Sequence, residues 1–340
     1  MNKPLLSVII PVYNAGDKIN RCVESILNQP FKDFELILVD DGSTDDSLLR
    51  CNQFANQHEN IRCFHKSNGG PSSARNLGLE KVNGEWVSFI DSDDSIGEDW
   101  YYQFFKYANY DLIMQGFTFS DCGGEPHSYS YESHDYKNKD IVRFILDFID
   151  SPGLLLRGPV NKFFRKDIIE MANLRFDEQV LCGEDYLFNL GYIYNANSVK
   201  VLPVCSYMYE RQASGLALRK YKVGDHIDWQ LKIMKALVKN AERFGDEVVL
   251  RYFYKKYAIE LTGYLLNISI EDSLYKVQFN KIRSSIIDFR KYIFYSKYVI
   301  AYFSPFLRRK CWSLYLHIRE IKRKIFLIKG NDNSRACTLL

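Results

Sequence analysis

The chain has little of what a metal–thiolate or secreted scaffold needs. Its eight cysteines (Cys22, Cys51, Cys63, Cys122, Cys182, Cys205, Cys311, Cys337) include no closely spaced pair, and its six histidines form no ligand pattern. A zinc site is therefore not expected, and the cysteines read as reduced thiols of a cytosolic chain. No run reaches the roughly 18 uninterrupted apolar residues of a membrane span. The longest stretch, Tyr292 to Leu307, is broken by Lys297 and Pro305. Residues 5–10 are too short for the apolar part of a signal peptide, and Pro11 follows at once. Neither the Gly-Lys-Ser/Thr ending of a phosphate-binding P-loop nor the dinucleotide fingerprint occurs. An excess of one charge sign is lacking overall, with 45 Lys and Arg against 42 Asp and Glu, a net +3. Nucleic acid is not an expected partner, because the basics form no broad face with interleaved aromatics.

What is present suits a large α/β domain with a smaller companion. The chain has 340 residues, of which 46% are hydrophobic, enough for a substantial core. Aromatics reach 15% and include 24 tyrosines, suited to interfaces or sugar contacts. Apolar runs at 5–10, 34–39, 61–65, 85–90 and 111–117 read as strands. Helical spacing falls after Gly16 (Ile19, Cys22, Val23, Ile26, Leu27) and over 45–56, 72–82 and 98–108. Ser43 or Thr44 can cap the second of these helices. Alternating strands and helices imply a largely parallel sheet with helices on both faces. Residues 118–136 read as a hairpin or flexible loop, and 139–149 and 185–195 as helices. From 160 to 220 the pattern is mixed. Long helical stretches begin near 222, which divides the chain into 1–220 and a mainly helical 221–340.

The chemistry gathers where strands end. Trp86-Val87-Ser88-Phe89-Ile90 is followed by Asp91-Ser92-Asp93-Asp94, three carboxylates in four residues. Such acids repel one another unless a cation joins them, and hard divalent cations such as Mg²⁺ or Mn²⁺ favour oxygen ligands and substrate phosphates. The plain alternative is an acidic turn that caps the next helix. A second strand ends in Asp40-Asp41-Gly42-Ser43; one acid can cap a helix, while the other can accept a hydrogen bond from a base or ribose. Tyr13 follows the first strand beside Pro11 and suits stacking on a nucleobase, or is simply a loop tyrosine. Asn68-Gly69-Gly70-Pro71 leads into a helix whose start favours anions, with Arg75 on its first turn in reach of a phosphate. Glu184 and Asp185 open another helix, where the helix dipole favours acids whatever their function; the functional reading is a general base. Arg211, in Tyr207-Met208-Tyr209-Glu210-Arg211-Gln212-Ala213-Ser214, is either a surface arginine or a partner for a leaving diphosphate.

In this order the motifs SVIIPVYNAG, ELILVDDGSTDDS, NGGPSSARNLGL, GEWVSFIDSDD, NKFFRK and GEDYLF resemble glycosyltransferase family 2, over residues 5 to about 215. The resemblance implies a GT-A fold, a Rossmann-like and mostly parallel α/β sheet flanked by helices, with a helical C-terminal extension. It also implies an inverting, metal-dependent transfer of sugar from a nucleotide-sugar, most naturally a UDP-sugar, in bacterial polysaccharide synthesis. Tyr13 and Asp41 then resemble uracil contacts, Asp93 the ribose-binding acid, and Pro11 and Arg75 further nucleotide contacts. Asp94, or the pair Asp91 and Asp93, resembles the ligand of Mn²⁺ or Mg²⁺. Asp185 resembles the general base supported by Glu184, and Arg211 and Ser214 lie near the diphosphate. The acceptor implied is a glycan or lipid-linked oligosaccharide. A nucleotidyltransferase has a similar sheet and metal site, but would carry a glycine- and basic-rich loop where this chain has Pro11-Val12-Tyr13-Asn14. An inactive carbohydrate-binding or assembly protein on the same fold is the non-enzyme alternative.

The last third lies outside the resemblance. Residues 305–329 carry eight Lys and Arg against the single acid Glu320, so the segment is +7 and the rest of the chain −4. Leu314, Ile318, Ile321, Ile325 and Ile328 fall at helical spacing among the basics, with Trp312 and Tyr315 nearby. This predicts a basic amphipathic helix for an anionic membrane surface, at the cytoplasmic face of the inner membrane. The alternative is a charged helix packed on the catalytic domain or in a dimer contact.

Overall fold

Three successive strand–helix units build one half of the sheet, and the first two strands are apolar enough to be buried on both faces. They are β1 (Leu6–Val12), α1 (Lys18–Leu27), β2 (Phe34–Asp40), α2 (Ser47–Gln57), β3 (Ile61–His65), α3 (Pro71–Glu80) and then β4 (Trp86–Phe89). In β1 every residue but Pro11 is buried, and in β2 all are. The computed structural model describes residues 4–101, 104–120, 125–149, 151, 155–180, 183–210, 223–245, 247 and 249–253.

The second half adds β5 (Ser95–Ile96), β6 (Leu112–Gln115), β7 (Phe117–Ser120), β8 (His127–Tyr129), β9 (His134–Lys137) and α4 (Ile141–Ile149). It continues with β10 (Lys162–Arg165), α5 (Lys166–Met171), α6 (Glu184–Asn195), β11 (Ser198–Leu202), β12 (Tyr207–Glu210) and α7 (Val223–Phe244). Eight strands form one sheet in the order β3-β2-β1-β4-β10-β6-β11-β9. The β3-β2-β1-β4 block is parallel, as the strand–helix alternation requires, whereas β10 inserts antiparallel between β4 and β6. β5, β12, β7 and β8 form a second, smaller sheet. By packing, Lys232–Leu250 group with the N-terminal unit.

Several local expectations are corrected. The helix expected at 98–108 is a single 3-10 turn, Phe104–Tyr107, among the described residues. The strand expected at 111–117 is two strands in different sheets that divide at Gly116. A Cβ there would overlap the Tyr129 carbonyl oxygen, so only glycine lets the chain turn against β8. The 118–136 hairpin is β7 paired antiparallel with β8. Neither Ser43 nor Thr44 caps α2. The Ser43 hydroxyl instead accepts from the Asn14 backbone N–H at 3.0 Å, and the Thr44 N–H donates to Asn14 Oδ1 at 2.8 Å. Asn14 supplies both bonds from a left-handed backbone, φ 48°.

An aromatic cluster ties the sheet to the helix that carries the expected base. The rings of Phe176 and Phe188 stack at 4.2 Å, and Phe89 and Phe164 meet Phe188 edge-on at 5.8 and 5.6 Å. Phe89 comes from β4, Phe164 from β10 and Phe188 from α6, so ring packing helps to set the height of the α6 N-terminus over the strand ends.

Candidate active site

Because β2, β1 and β4 lie side by side and parallel, the residues at their carboxyl ends share one rim. This is where an open α/β sheet binds ligands. Tyr13 leaves β1 there with 52% of its surface exposed. Asp40 and Asp41 close β2 and are both buried. Neither caps α2. Asp40 Oδ2 accepts from the Ser43 N–H at 3.3 Å and lies 2.7 Å from His65 Nδ1. Asp41 Oδ1 accepts from Lys66 Nζ at 2.8 Å and from the Gly69 N–H at 2.9 Å, and its Oδ2 accepts from the Gly70 N–H at 2.7 Å. The anion that the α3 start favours is thus Asp41 itself. Gly70 sits at φ 87°, a backbone that L side chains rarely adopt, and so presents its N–H to that carboxylate. A carboxylate has about four lone-pair positions, and these three bonds fill three of those of Asp41.

The acidic loop after β4 is fastened from two sides. The Asp91 N–H donates to the Tyr207 hydroxyl at 3.2 Å, and that hydroxyl donates to Asp94 Oδ2 at 2.5 Å. Asp94 Oδ1 accepts from the Glu210 N–H at 3.0 Å. Arg21 of α1 donates to the Asp93 carbonyl at 2.6 Å and pairs with the Glu210 carboxylate. Asp94 is therefore a buried tie between the loop and β12, while Asp91 and Asp93 keep partly exposed carboxyls. Burial, and then the neighbouring Asp91, push the carboxyls of both Asp93 and Asp94 above their ordinary range.

Arg75 joins this loop to α6. Its Nη2 donates to Asp91 Oδ1 at 2.9 Å and its Nη1 to Asp185 Oδ1 at 2.8 Å. Arg75 is 4% exposed, and its guanidinium stands 5.4 Å over the Phe176 ring. Asp185 lies in the first turn of α6 after Gly183, with its side chain 26% exposed. Burial drives its carboxyl up to about 7; Arg75 opposes this, while Glu184 and Asp91 add to it. A carboxylate of that basicity, open to solvent on one side, is suited to take a proton at neutral pH.

The sequence matches name the family. Residues 7–171 match the profile of Glycosyl transferase family 2. The Bacillus subtilis Uncharacterized glycosyltransferase EpsJ is 30% identical over 237 residues, which span 67% of this chain and 67% of EpsJ. This chain belongs to glycosyl transferase family 2. It is a glycosyltransferase with a GT-A fold. The Poly(ribitol-phosphate) beta-glucosyltransferase of Bacillus spizizenii is 32% identical over 60% of this chain and 32% of its own length. Among solved structures, S. aureus TarS 1–349 in complex with UDP-GlcNAc superposes with a TM-score of 0.73. It is 21% identical, with 92% of each chain covered.

A family 2 enzyme commonly carries a divalent metal, and the donor set here fits one. Asp91 and Asp93 offer oxygen only, and burial, followed by the charge of Asp91, raises the Asp93 carboxyl, which a bound cation would offset. Among the described residues no three His, Cys, Asp or Glu side chains converge on one point. The protein would then supply one or two carboxylates and the substrate phosphates the remainder, the usual arrangement for Mg²⁺.

Of the residues singled out from sequence, the rim brings together Pro11, Tyr13, Asp41, Asp91, Asp93 and Asp94, and Arg75 links Asp91 to Asp185. Glu184 is the neighbour of Asp185 in the same first turn. Arg211, Ser214 and the 305–329 segment lie outside the described residues. The sequence reading missed the ties made by Tyr207, Arg21 and Lys66. Tyr207 had a signal, as an aromatic at the start of an alternating run; Arg21 had none, because its partners are 72 and 189 residues away.

Proposed function

We propose that this enzyme transfers a sugar, with inversion, from a UDP-sugar to a hydroxyl of a glycan or lipid-linked oligosaccharide during cell-surface polysaccharide synthesis. The observation that carries the reading is Arg75, one guanidinium hydrogen-bonded at once to the acidic loop and to a carboxylate poised near neutrality. Tyr13, Pro11 and Asp41 hold the base, with Asp41 accepting from its N–H. Asp93 receives the ribose. Arg211 and Ser214 are assigned to the diphosphate. Bound Mn²⁺ or Mg²⁺ at Asp91 and Asp93 would neutralise charge building on the leaving diphosphate. Asp94 acts with them by fixing the loop. Asp185 takes the acceptor hydroxyl's proton as its oxygen bonds to the anomeric carbon and the bond from that carbon to the diphosphate oxygen breaks. One displacement of this kind inverts the anomeric centre. The donor reading is supported by the fold shared with TarS, which was crystallised with UDP-GlcNAc and with UDP. The acceptor class is supported by relatives that include the Bacillus subtilis Minor teichoic acid biosynthesis protein GgaB, 34% identical over 188 residues.

A thermal-shift panel of UDP, GDP, dTDP and CDP, each with Mn²⁺ or with EDTA, tests the donor site. UDP with Mn²⁺ is expected to raise the melting temperature of the wild type, and the rise is expected to vanish with EDTA and in Asp93→Asn. Stabilisation by GDP alone would change the donor, and no response to any diphosphate would remove the site assignment.

Among the described residues no helix is long and apolar enough to cross a membrane. We propose a peripheral location on the cytoplasmic face, through the basic 305–329 segment. Full-length protein is expected to float with vesicles rich in anionic lipid and to be released by high salt, whereas a chain ending at residue 304 stays in the soluble fraction. Equal flotation of the two forms would refute it.

A further inference from the structure

The NKFFRK motif has no place in the reaction so far, yet it holds a buried cation. Lys162 opens β10 between two apolar strands and is fully buried. Its Nζ donates to the carbonyl oxygens of Leu155 at 2.5 Å and Gly158 at 2.6 Å, and to Asn161 Oδ1 at 2.9 Å. Three acceptors match the three N–H bonds of an ammonium; a neutral amine has two, and its lone pair would face an oxygen. Asn189, also buried, donates through Nδ2 to the carbonyls of Leu156 at 2.8 Å, Arg157 at 3.3 Å and Gly158 at 2.8 Å. Two side chains thus collect four successive carbonyls of residues 155–158. Asn189 stands four residues after Asp185 on α6, so both occupy the same side of that helix one turn apart. Ser88 of β4 donates to the Lys162 carbonyl at 2.9 Å, and Asn161 to the Gln115 carbonyl at 2.5 Å. The network therefore joins β4, the end of β6, the start of β10 and the base-bearing helix.

We propose that Lys162 is a positioning residue for Asp185: its buried ammonium draws the 155–158 turn against α6, and its charge acts on the Asp185 carboxylate as a second cation beside Arg75. The inference rests on Asp185 being the general base. The charged groups acting on Asp185 are Arg75 from α3, Asp91 from the loop after β4, Glu184 on its own helix and Lys162 from β10. Burial lowers the Lys162 ammonium to about 7, and Asp185 pulls the other way. Each group thus favours the charged form of the other.

The test uses full-length protein and two readouts. The first is UDP release from whichever UDP-sugar turns over fastest. Lys162→Met is expected to lower kcat at least about tenfold, as small displacements of a reacting group do. It should leave UDP affinity in Mn²⁺ within about threefold, since Lys162 touches no proposed nucleotide contact. The acid limb of the kcat profile is expected to move to higher pH, which a purely structural role would not produce. An acid limb left in place would overturn the proposal. Asn161→Gly removes one of the three acceptors and suits the left-handed backbone at this position, φ 49°. It serves if the methionine variant does not fold, with the same split expected, a lower kcat at unchanged UDP affinity; an unchanged kcat would count against the proposal. The second readout needs no substrate, and so separates this inference from the donor assignment. Melting temperatures of Lys162→Met or Asn161→Gly, Asp185→Asn and their double variant are compared across pH. Non-additivity that fades at low pH, where Asp185 is protonated, is expected, and additivity at every pH would overturn the coupling even if no UDP-sugar is consumed.

Discussion

Asp185→Asn is expected to abolish sugar transfer while leaving the fold and UDP binding in place. The amide keeps the size of the carboxyl and still offers an oxygen to Arg75 Nη1, which now lies 2.8 Å from Asp185 Oδ1. It has no basic oxygen to accept a proton. General-base contributions of about 10²–10⁴-fold set the expected fall in kcat. Nucleotide affinity should hold, because the proposed nucleotide contacts lie on the strand ends across the rim. The pH profile gives a second check. Burial raises the Asp185 carboxyl to about 7 against the pull of Arg75. The wild-type rate should therefore fall as pH drops through about 7, and the residual rate of the asparagine variant should lack that limb. Stability moves oppositely. A carboxyl whose folded value is raised binds more protons folded than unfolded between its ordinary value and about 7. Its contribution therefore favours the folded state as pH falls through that window, and Asp185→Asn should remove this part of the pH dependence. A variant that retains transfer within about threefold of wild type would show that another group, Glu184 first, accepts the proton.

How much of this site was legible in the sequence depends on the distance over which each residue acts. Strand-end residues were legible, because an apolar run that stops at an acid marks both an element and its exposed end. Asp41, Asp91 and Asp93 were found in this way, and Asp185 as an acid at a helix start. Their partners were not. Asp41 bonds Gly69 and Gly70 across 28 and 29 residues, and Arg75 reaches Asp185 across 110. A helix start that favours anions was foreseen at Gly70, but not that a side chain of the same protein would be the anion. The parallel half of the sheet followed from alternation of period-2 and period-3.6 stretches. The antiparallel β10 did not, since Lys162-Phe163-Phe164-Arg165 is too short to distinguish from a helical turn. The lysine also reads as a surface residue, and only its three carbonyl and amide acceptors explain how a cation opens a buried strand. The break at Gly116 was invisible for a related reason, because its cause is the Tyr129 carbonyl in another strand.

Arg75→Met is expected to cost both stability and transfer, with a signature that separates it from a simple packing defect. In the native site Asp185 and Asp91 raise the guanidinium above its ordinary value despite its burial, so the three groups form one charge-balancing unit. Methionine fills much of the volume but leaves the two carboxylates without the cation that bridges them. Removing one partner of a buried ion pair costs about 3–5 kcal/mol. The lower end applies here, because the Asp91 and Asp185 side chains are 31% and 26% exposed and water screens part of the loss. Arg75→Lys keeps the charge, but a single ammonium lacks the fork that reaches both carboxylates, so it should recover part of the stability and little of the transfer. Loss of the cation raises the proton affinity of Asp185 in the folded state still further. The folded variant then binds more protons than the unfolded chain over a wider range, so its deficit should shrink as pH falls. Urea midpoints at about pH 8 and about pH 5 measure this directly. The double variant with Asp185→Asn should be less destabilised than the sum of the single changes, because the second substitution removes the charge that the first left uncompensated. Equal deficits at both pH values, with additive losses, would mean that Arg75 acts through volume and its Phe176 contact, and the electrostatic link between the acidic loop and the base would fall.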